Sequence, residues 1–168
     1  MKQLQIINPE NVTEDEVKNY RVREAARAVV IDQDGKIAML HVSKENYYKL
    51  PGGGVKEGED ILIALDRECK EEIGCEIEVL SELGMITEYR KIFGLKQTSY
   101  CYMAKLKGEK GIPEFTKKED LKGFKEVWLS YKEAVLMMKE SQAVSEEGRM
   151  YIVPRDMIVL EEAKNYLN

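Results

Sequence analysis

The segment from Lys49 to Gly74 limits what this chain can form more than any other feature. It opens with KLPGGGVKEGED, in which Gly52 to Gly54 form an unbroken glycine run. Apolar residues then recur at three- and four-residue steps, which predicts the buried stripe of a helix from Asp60 to Ile73. The predicted stripe is Leu62, Leu65, Cys69 and Ile73. Gly74 follows where a left-handed C-cap is needed, so the segment predicts a tight loop that leads into an amphipathic helix.

Three carboxylates share one face of that predicted helix. Glu68, Glu71 and Glu72 stand at positions i, i+3 and i+4, which brings them within reach of a common centre beside the apolar stripe. Like charges at this spacing destabilise an isolated helix by a few tenths of a kcal/mol per pair. A divalent cation reverses that repulsion, and carboxylate oxygens are the ligands that Mg²⁺ and Mn²⁺ prefer. Many acid-rich helices are simply solvated surfaces, so these three glutamates alone do not distinguish a metal site from an exposed helix face. The spacing of the residues around them is needed for that distinction.

Seven residues hold a fixed spacing over this segment: Gly53, Glu59, Arg67, Glu68, Glu71, Glu72 and Gly74. The pattern resembles the signature of the Nudix hydrolases, and the chain matches it at every fixed residue. Cys69 and Cys75 stand where the family usually has aliphatic residues, and cysteine packs as a small hydrophobe. The resemblance extends more loosely from about Arg23 to Ser130.

The resemblance implies an α/β fold, an α/β/α sandwich around a mixed β-sheet. The length of the chain and its lack of repeats and linkers predict a single domain over residues 1–168. Residues 1–22 are expected to form an irregular lead-in or an early edge strand, and residues 156–168 a C-terminal helix capped by Asp156. The glycine loop and the helix after it would form the active site.

The resemblance also implies roles for the residues of the pattern. The expected metal ligands are Glu68, Glu71, Glu72 and the carbonyl of Gly52. The expected structural supports are Gly53, Glu59, Arg67 and Gly74, with Arg67 bracing a catalytic glutamate and Glu59 tying the loop to the helix. Mg²⁺ is the expected cofactor, for which Mn²⁺ could substitute.

The implied reaction is hydrolysis of a pyrophosphate linkage in a nucleoside diphosphate derivative, by attack of water at phosphorus. A carboxylate must accept the proton of that water. Glu71 and Glu72 are candidates from the helix, and Glu119 in TKKEDLKGF is a third. The lysines around Glu119 also fit a solvated turn. Glu68 would contribute to catalysis through the metal.

Three arginines are candidates for substrate binding. Arg23, Arg27 and Arg90 lie on strands predicted to flank the glycine loop, where they could hold phosphates through charge-assisted hydrogen bonds. Taken individually, each of these arginines is more often an ordinary surface charge than a substrate contact. The sequence does not select among nucleoside triphosphates, nucleotide sugars and related compounds.

Two other functions fit the same fold. A non-catalytic Nudix-like domain could bind a nucleotide and regulate a partner, but such domains tend to lose the box glutamates, which this chain keeps. An isoprenoid diphosphate isomerase would depend on a cysteine and acids outside the box, and no matching pattern is present.

Charge and composition limit the classes of partner that we expect for this chain. The net charge is −5 and there is no basic stripe, so polymeric nucleic acid is not an expected partner.

No apolar run approaches the roughly 20 residues of a membrane span, and the start lacks the features of a secretory signal. Three cysteines without a CxxC pair suit a reducing compartment. We therefore expect a cytoplasmic protein without membrane contact. Residues 1–22 could also add strands across a homodimer interface.

The remaining elements follow from local pattern. Arg23–Ile31 and Lys36–Val42 flank the turn Asp32–Gly35, which predicts a hairpin. Ser130, with Glu133 three residues on, predicts a capped helix to about Met138. Further strands are predicted at Cys75–Leu80, Met85–Tyr89, Thr98–Leu106 and Glu126–Leu129.

Overall fold

Seven strands form one mixed sheet in the computed structural model, which describes residues 1–167. The strands are β1 Gln3–Ile7, β2 Arg21–Ile31, β3 Ile37–Val42, β4 Tyr47–Lys49, β5 Glu76–Arg90, β6 Leu95–Lys107 and β7 Phe124–Leu129. Their order is β1-β5-β6-β2-β3-β4, and β7 pairs with β3. The β1–β5 and β2–β6 pairs are parallel, whereas β5–β6 and the three pairs made by β3 are antiparallel. The expected mixed sheet is confirmed.

Helices cover both faces of this sheet. They are α1 Glu14–Val17, α2 Ile61–Ile73, α3 Lys117–Lys122, α4 Tyr131–Glu140 and α5 Val153–Ala163. Strand β2 shows the layering, because Ala26 and Ala28 pack in an apolar cluster with Leu65 of α2. Val29 points to the opposite face and packs with Val159 of α5. This arrangement confirms the predicted α/β/α sandwich.

The sheet opens between β2 and β3, and the glycine loop occupies the gap. The two strands are in register only at Ile31 and Ile37, so the predicted hairpin is correct only at its turn. The free edge of β2 bonds to the loop instead, as the amide of Ala26 donates to the carbonyl of Gly53 at 2.9 Å. A cleft therefore forms where the loop lies along β2.

Helix α2 closely matches its prediction. Asp60 caps its start, and its side chain accepts a hydrogen bond from the Leu62 amide at 2.8 Å. Gly74 ends the helix in the left-handed region at φ +64°, as predicted. Leu62 is a wrong prediction, because its side chain is 46% exposed. It lies in the first turn, where Asp60 and Ile63 are exposed as well, so this end of the helix projects beyond the core.

The C-terminal helix begins earlier than predicted. Helix α5 follows a π-helical turn at Gly148–Ile152, so Asp156 lies inside the helix and is not its cap. Asp156 is fully buried and accepts a hydrogen bond from the Leu50 amide at 2.9 Å. The prediction was wrong because the hydrogen-bond partner of Asp156, the Leu50 amide, lies in a distant part of the sequence. Asn168, the last residue of the predicted 156–168 helix, lies outside the described residues.

Three other segments refine the predicted elements. The two strands predicted at 75–80 and 85–89 are one strand, β5, whose register shifts between Val79 and Ser81 and between Glu82 and Gly84. Residues 1–22 include an edge strand, β1, as one of the two predicted alternatives required. The Ser130 capping box and its helix α4 are confirmed. Within residues 1–167, no helix has the length and apolar character to cross a membrane.

Candidate active site

The glycine loop needs glycine at two positions for reasons that the structure makes explicit. Gly52 has φ +129°, a conformation that residues with a side chain rarely adopt, and a Cβ there would overlap the carbonyl oxygen of Ala26. A Cβ on Gly53 would overlap the carboxylate of Glu68. The two glycines therefore allow the loop to lie directly against β2 on one side and against α2 on the other.

Arg67 connects the loop to the helix. Its Nε and Nη2 donate to the two carboxylate oxygens of Glu59 at 2.8 and 3.0 Å, and Nη2 also donates to the carbonyl of Gly54 at 3.0 Å. Its Nη1 donates to Oε1 of Glu68 at 2.7 Å. The hydrogen bonds from Arg67 and from the Lys56 amide lower the pKa of Glu59 to about 2. These contacts fix the position of the Glu68 carboxylate beside the loop.

Glu72 is the most enclosed carboxylate of the helix. Its residue is 1% exposed, its Oε1 lies 2.5 Å from Lys49 Nζ, and its Oε2 accepts a hydrogen bond from the Gly52 amide at 2.7 Å. Burial raises the pKa of Glu72, and the nearby Lys49 opposes that effect. Glu71 is less constrained, with a side chain 35% exposed and a 3.5 Å contact to Arg67.

Two of these carboxylates and one carbonyl form what we call the carboxylate wall: Gly52, Glu68 and Glu72. Lys49 Nζ lies between two of its members, 2.5 Å from Glu72 and 3.4 Å from the Gly52 carbonyl. The ammonium group thus shows that this point stabilises a cation. Hard oxygen donors of this kind fit Mg²⁺. Within residues 1–167, no three His, Cys, Asp or Glu side chains converge to form a complete metal site by themselves.

The carboxylate wall opens into a cleft of about 270 Å³. Seven basic and four acidic side chains line it, so basic groups outnumber acidic ones there although the whole chain is acidic. The charged residues are Arg23, Arg27, Lys49, Glu68, Glu72, Arg90, Lys118, Glu119, Lys122, Glu147 and Arg155. Gly53 and Gly54 also line the cleft. Glu59, Arg67, Glu71 and Gly74 lie outside its lining.

The three predicted substrate-binding arginines all face the cleft but differ in their partners. Arg23 donates to the side chain of Gln97, and Arg90 pairs with Glu88 at 2.9 Å and with Glu147 at 2.6 Å. Arg27 is 5% exposed, and its Nε and Nη1 have no hydrogen-bond partner. Burial lowers the pKa of Arg27 to about 10.

Glu119 comes from α3 and not from an irregular loop. It occupies the third helical position of a capping box, where its Oε2 accepts hydrogen bonds from the amide and the hydroxyl of Thr116 at 2.7 and 2.8 Å. It also lines the cleft. The structure therefore brings Glu119 into the same space as Glu68 and Glu72.

Sequence reasoning missed four of the seven basic residues of the cleft, Lys49, Lys118, Lys122 and Arg155. Two of them, Lys49 and Arg155, are buried. Lys49 precedes the loop, and its partner Glu72 follows 23 residues later. This pairing can be recognised only when the loop is known to fold onto α2. Arg155 is 1% exposed, and its Nε contacts Asp156 at 2.6 Å. A buried Arg–Asp pair on a helix face can be recognised only when both faces of the helix are known to be covered.

The sequence of this chain is similar to those of known proteins. The family model of the NUDIX domain matches residues 21–151. An RNA pyrophosphohydrolase from Pelagibacter ubique is 32% identical over 78 residues, which cover 45% of this chain and 49% of that protein. The match thus spans about half the length of this curated relative.

Solved structures show the same fold at low sequence identity. The solution structure of the E. coli ORF135 protein has a TM-score of 0.60 and 20% identity over 88% of this chain and 92% of its own. A NUDIX hydrolase from Nitrosomonas europaea gives 0.61 and 16%, over 87% and 88%. The crystal structure of a MutT protein from Methanosarcina mazei Go1 gives 0.58 and 14%, over 87% and 96%. These likenesses concern the fold alone.

Proposed function

The chain belongs to the NUDIX family, and from this premise we propose that it hydrolyses a pyrophosphate linkage in a nucleoside diphosphate derivative with the help of Mg²⁺. One observation carries the proposal. The oxygen donors of the carboxylate wall and the basic side chains suited to phosphate line one and the same cleft. A cation and a phosphate chain can therefore meet there.

The metal would be held by Glu68, Glu72 and the carbonyl of Gly52, with Glu71 beside them on the same helix. When bound, Mg²⁺ or Mn²⁺ neutralises phosphate charge and lowers the pKa of water. Lys49 already supplies a positive charge between Gly52 and Glu72. We propose that Lys49 turns from Glu72 to a phosphate oxygen when the metal is present, which keeps both charges paired.

We propose Glu119 as the residue that accepts the proton of the attacking water. Both oxygens of Glu72 are engaged, by Lys49 and by the Gly52 amide, and Glu68 accepts a hydrogen bond from Arg67. The contacts of Glu119 within its capping box all use Oε2. Its Oε1 takes no part in these contacts and is therefore free to accept a proton.

Phosphate binding falls to the arginines of the cleft. Arg23 and Arg90 are held in place by Gln97 and by Glu88, so they present guanidinium groups with little further loss of freedom. Charge-assisted hydrogen bonds to phosphate oxygens are roughly twice as strong as neutral ones. These residues would orient the phosphate chain so that the linkage to be cleaved lies at the carboxylate wall.

A substrate panel tests the function. Nucleoside triphosphates, nucleotide sugars, dinucleoside polyphosphates and an isoprenoid diphosphate are incubated with Mg²⁺, and the products are identified. We expect cleavage at a pyrophosphate linkage that EDTA abolishes and that Mg²⁺ or Mn²⁺ restores. Nucleotide binding without hydrolysis would favour the regulatory alternative, and an isomerised diphosphate would favour the isomerase.

Replacement of the proposed base separates its role from metal binding. Glu119→Gln keeps the shape of the capping box but cannot accept the proton, so we expect kcat to fall about 100-fold or more. KM and the affinity for Mn²⁺ should change little. Equal kcat values for Glu119→Gln and the unmodified protein would assign the base to Glu71 or Glu72.

The phosphorylated 5′ end of RNA is a second candidate substrate. The relative from Pelagibacter ubique is named an RNA pyrophosphohydrolase, although the match covers only about half of each chain. The net charge of −5 argues against long contacts with an RNA backbone, so only a terminal nucleotide would be held. A short 5′-triphosphorylated oligonucleotide, compared with the free triphosphate at two salt concentrations, distinguishes the two substrates.

A further inference from the structure

Two buried arginines line the cleft, and we call Arg27 and Arg155 the arginine floor. We infer that the arginine floor is a second anion subsite, which takes a phosphate group of the substrate outside the linkage that is cleaved. The inference rests on the proposed function, because it concerns the substrate of the same cleft. It adds a subsite built partly by α5, beyond the residues that the NUDIX domain match covers.

Arg27 occupies a position where the fold would favour an apolar residue. On β2 the same face carries Val29, which packs in the apolar cluster beneath α4 and α5. Arg27 is 5% exposed, and neither Nε nor Nη1 has a hydrogen-bond partner. A buried cation without partners is destabilising, so the position makes physical sense if an anion completes it.

Arg155 is the second arginine of the floor, and two neighbouring carboxylates hold it in place. Its Nε contacts Asp156 at 2.6 Å, and its Nη1 lies 3.6 Å from Glu88. Its Nη2 is buried and has no partner. Two acids thus fix the guanidinium group, and one N–H-bearing nitrogen remains for a ligand in the cleft that Arg155 lines. This differs from Arg27, which lacks partners at two of its nitrogens.

The charges of the cleft favour a ligand with an additional phosphate. Seven basic side chains line it against four acids, and two of those acids belong to the carboxylate wall that would hold the metal. Burial and the nearby Arg155 lower the pKa of Arg27, and the carboxylates of Asp156 and Glu72 offset only part of that effect. A phosphate dianion would relieve the repulsion between the two guanidinium groups, whereas a neutral sugar would leave two nitrogens of Arg27 and one of Arg155 without a charged hydrogen-bond partner.

Binding without metal provides the direct test. The full chain is titrated calorimetrically with inorganic tripolyphosphate in EDTA, as the unmodified protein and as the variants Arg27→Met and Arg21→Met. Arg21 is an exposed arginine on the same strand and serves as the matched control. We expect Arg27→Met to weaken binding at least 10-fold and Arg21→Met to match the unmodified protein. Equal affinity in all three proteins would overturn the inference.

Folding of the variants is checked by thermal unfolding. Arg27→Met removes a buried, unpartnered cation, so its melting temperature should stay the same or rise. Arg155→Met would leave Asp156 without its cation and Glu88 with Arg90 alone, so the second variant is Arg155→Lys, which keeps the charge. We expect Arg155→Lys to weaken tripolyphosphate binding as well, because an ammonium group cannot reproduce the paired N–H geometry.

Substrate preference separates this inference from the proposed function. A nucleoside triphosphate carries a phosphate beyond the cleaved linkage, and ADP-ribose carries a neutral sugar there. We expect the ratio of their kcat/KM values to fall at least 10-fold in Arg27→Met. An unchanged ratio with intact hydrolysis overturns the subsite and leaves the function. Arg27-dependent tripolyphosphate binding without hydrolysis of any substrate overturns the function and leaves the subsite.

Discussion

The carboxylate wall and the arginine floor lie in one cleft but balance their charges in opposite ways. On the wall, Glu68 and Glu72 already have cationic partners in Arg67 and Lys49. On the floor, Arg27 has no hydrogen bond at Nε or Nη1. The wall is therefore internally neutralised, and under the proposed function a metal ion would take the place of the lysine. The floor is incomplete and gains stability from an anion.

Loss of a wall carboxylate should have the largest effect. Glu68→Gln removes a proposed metal ligand but keeps a side chain that can accept the hydrogen bond from Arg67. We expect kcat/KM to fall at least 1000-fold, which corresponds to about 4 kcal/mol of transition-state stabilisation. Circular dichroism and the melting temperature should remain close to those of the unmodified protein. Activity within 10-fold would remove Glu68 from the metal site.

Removal of Lys49 tests whether the wall is balanced as described. Lys49→Met leaves Glu72 buried without its cation, and breaking a buried pair in this way costs about 3–5 kcal/mol of unfolding free energy. Burial already raises the pKa of Glu72, so its protonated form is favoured by folding. The loss should therefore be small near and below pH 4.5 and should grow as the pH rises above it. Urea denaturation at several pH values measures it.

Magnesium supplies the control for this variant. If Lys49 holds the place of the metal, Mg²⁺ should raise the melting temperature of Lys49→Met more than that of the unmodified protein. An equal shift in both proteins would mean that the metal binds without displacing Lys49.

The brace between Glu59 and Arg67 should show the smallest and most pH-dependent effect. Folding lowers the pKa of Glu59 from 4.5 to about 2, so the unfolded chain binds the proton more tightly. Its contribution to stability is complete above pH 4.5 and is lost as the pH falls towards 2. Glu59→Gln should therefore destabilise the protein at pH 7 and match it near pH 2. A difference independent of pH would contradict the assignment of this pair.

The contrast between the carboxylate wall and the arginine floor also explains which features could be predicted from the sequence. Helix α2, its Asp60 and Gly74 caps and the placement of Glu68, Glu71 and Glu72 on one helix follow from spacing within 22 residues. Local geometry dictates such features, so a single chain reveals them.

Arg27 was a predicted phosphate-binding candidate, but its grouping with Arg155 could not be predicted because the contacts of the floor join distant segments. Asp156 resembles a helix cap in sequence, yet its partner is the Leu50 amide, 106 residues away. Arg155 becomes part of the cleft only because α5 covers the face of β2 that carries Arg27 and Val29. Lys49 was overlooked for the same reason, since its partner Glu72 is contributed by the helix after the loop.

Anomalous diffraction from crystals soaked in Mn²⁺ would locate the proposed metal ion. We predict a metal peak bounded by the carboxylates of Glu68 and Glu72 and by the carbonyl of Gly52, with Lys49 withdrawn from Glu72. A saturated Mn²⁺ site elsewhere, with Lys49 and Arg67 still paired to these glutamates, would contradict it.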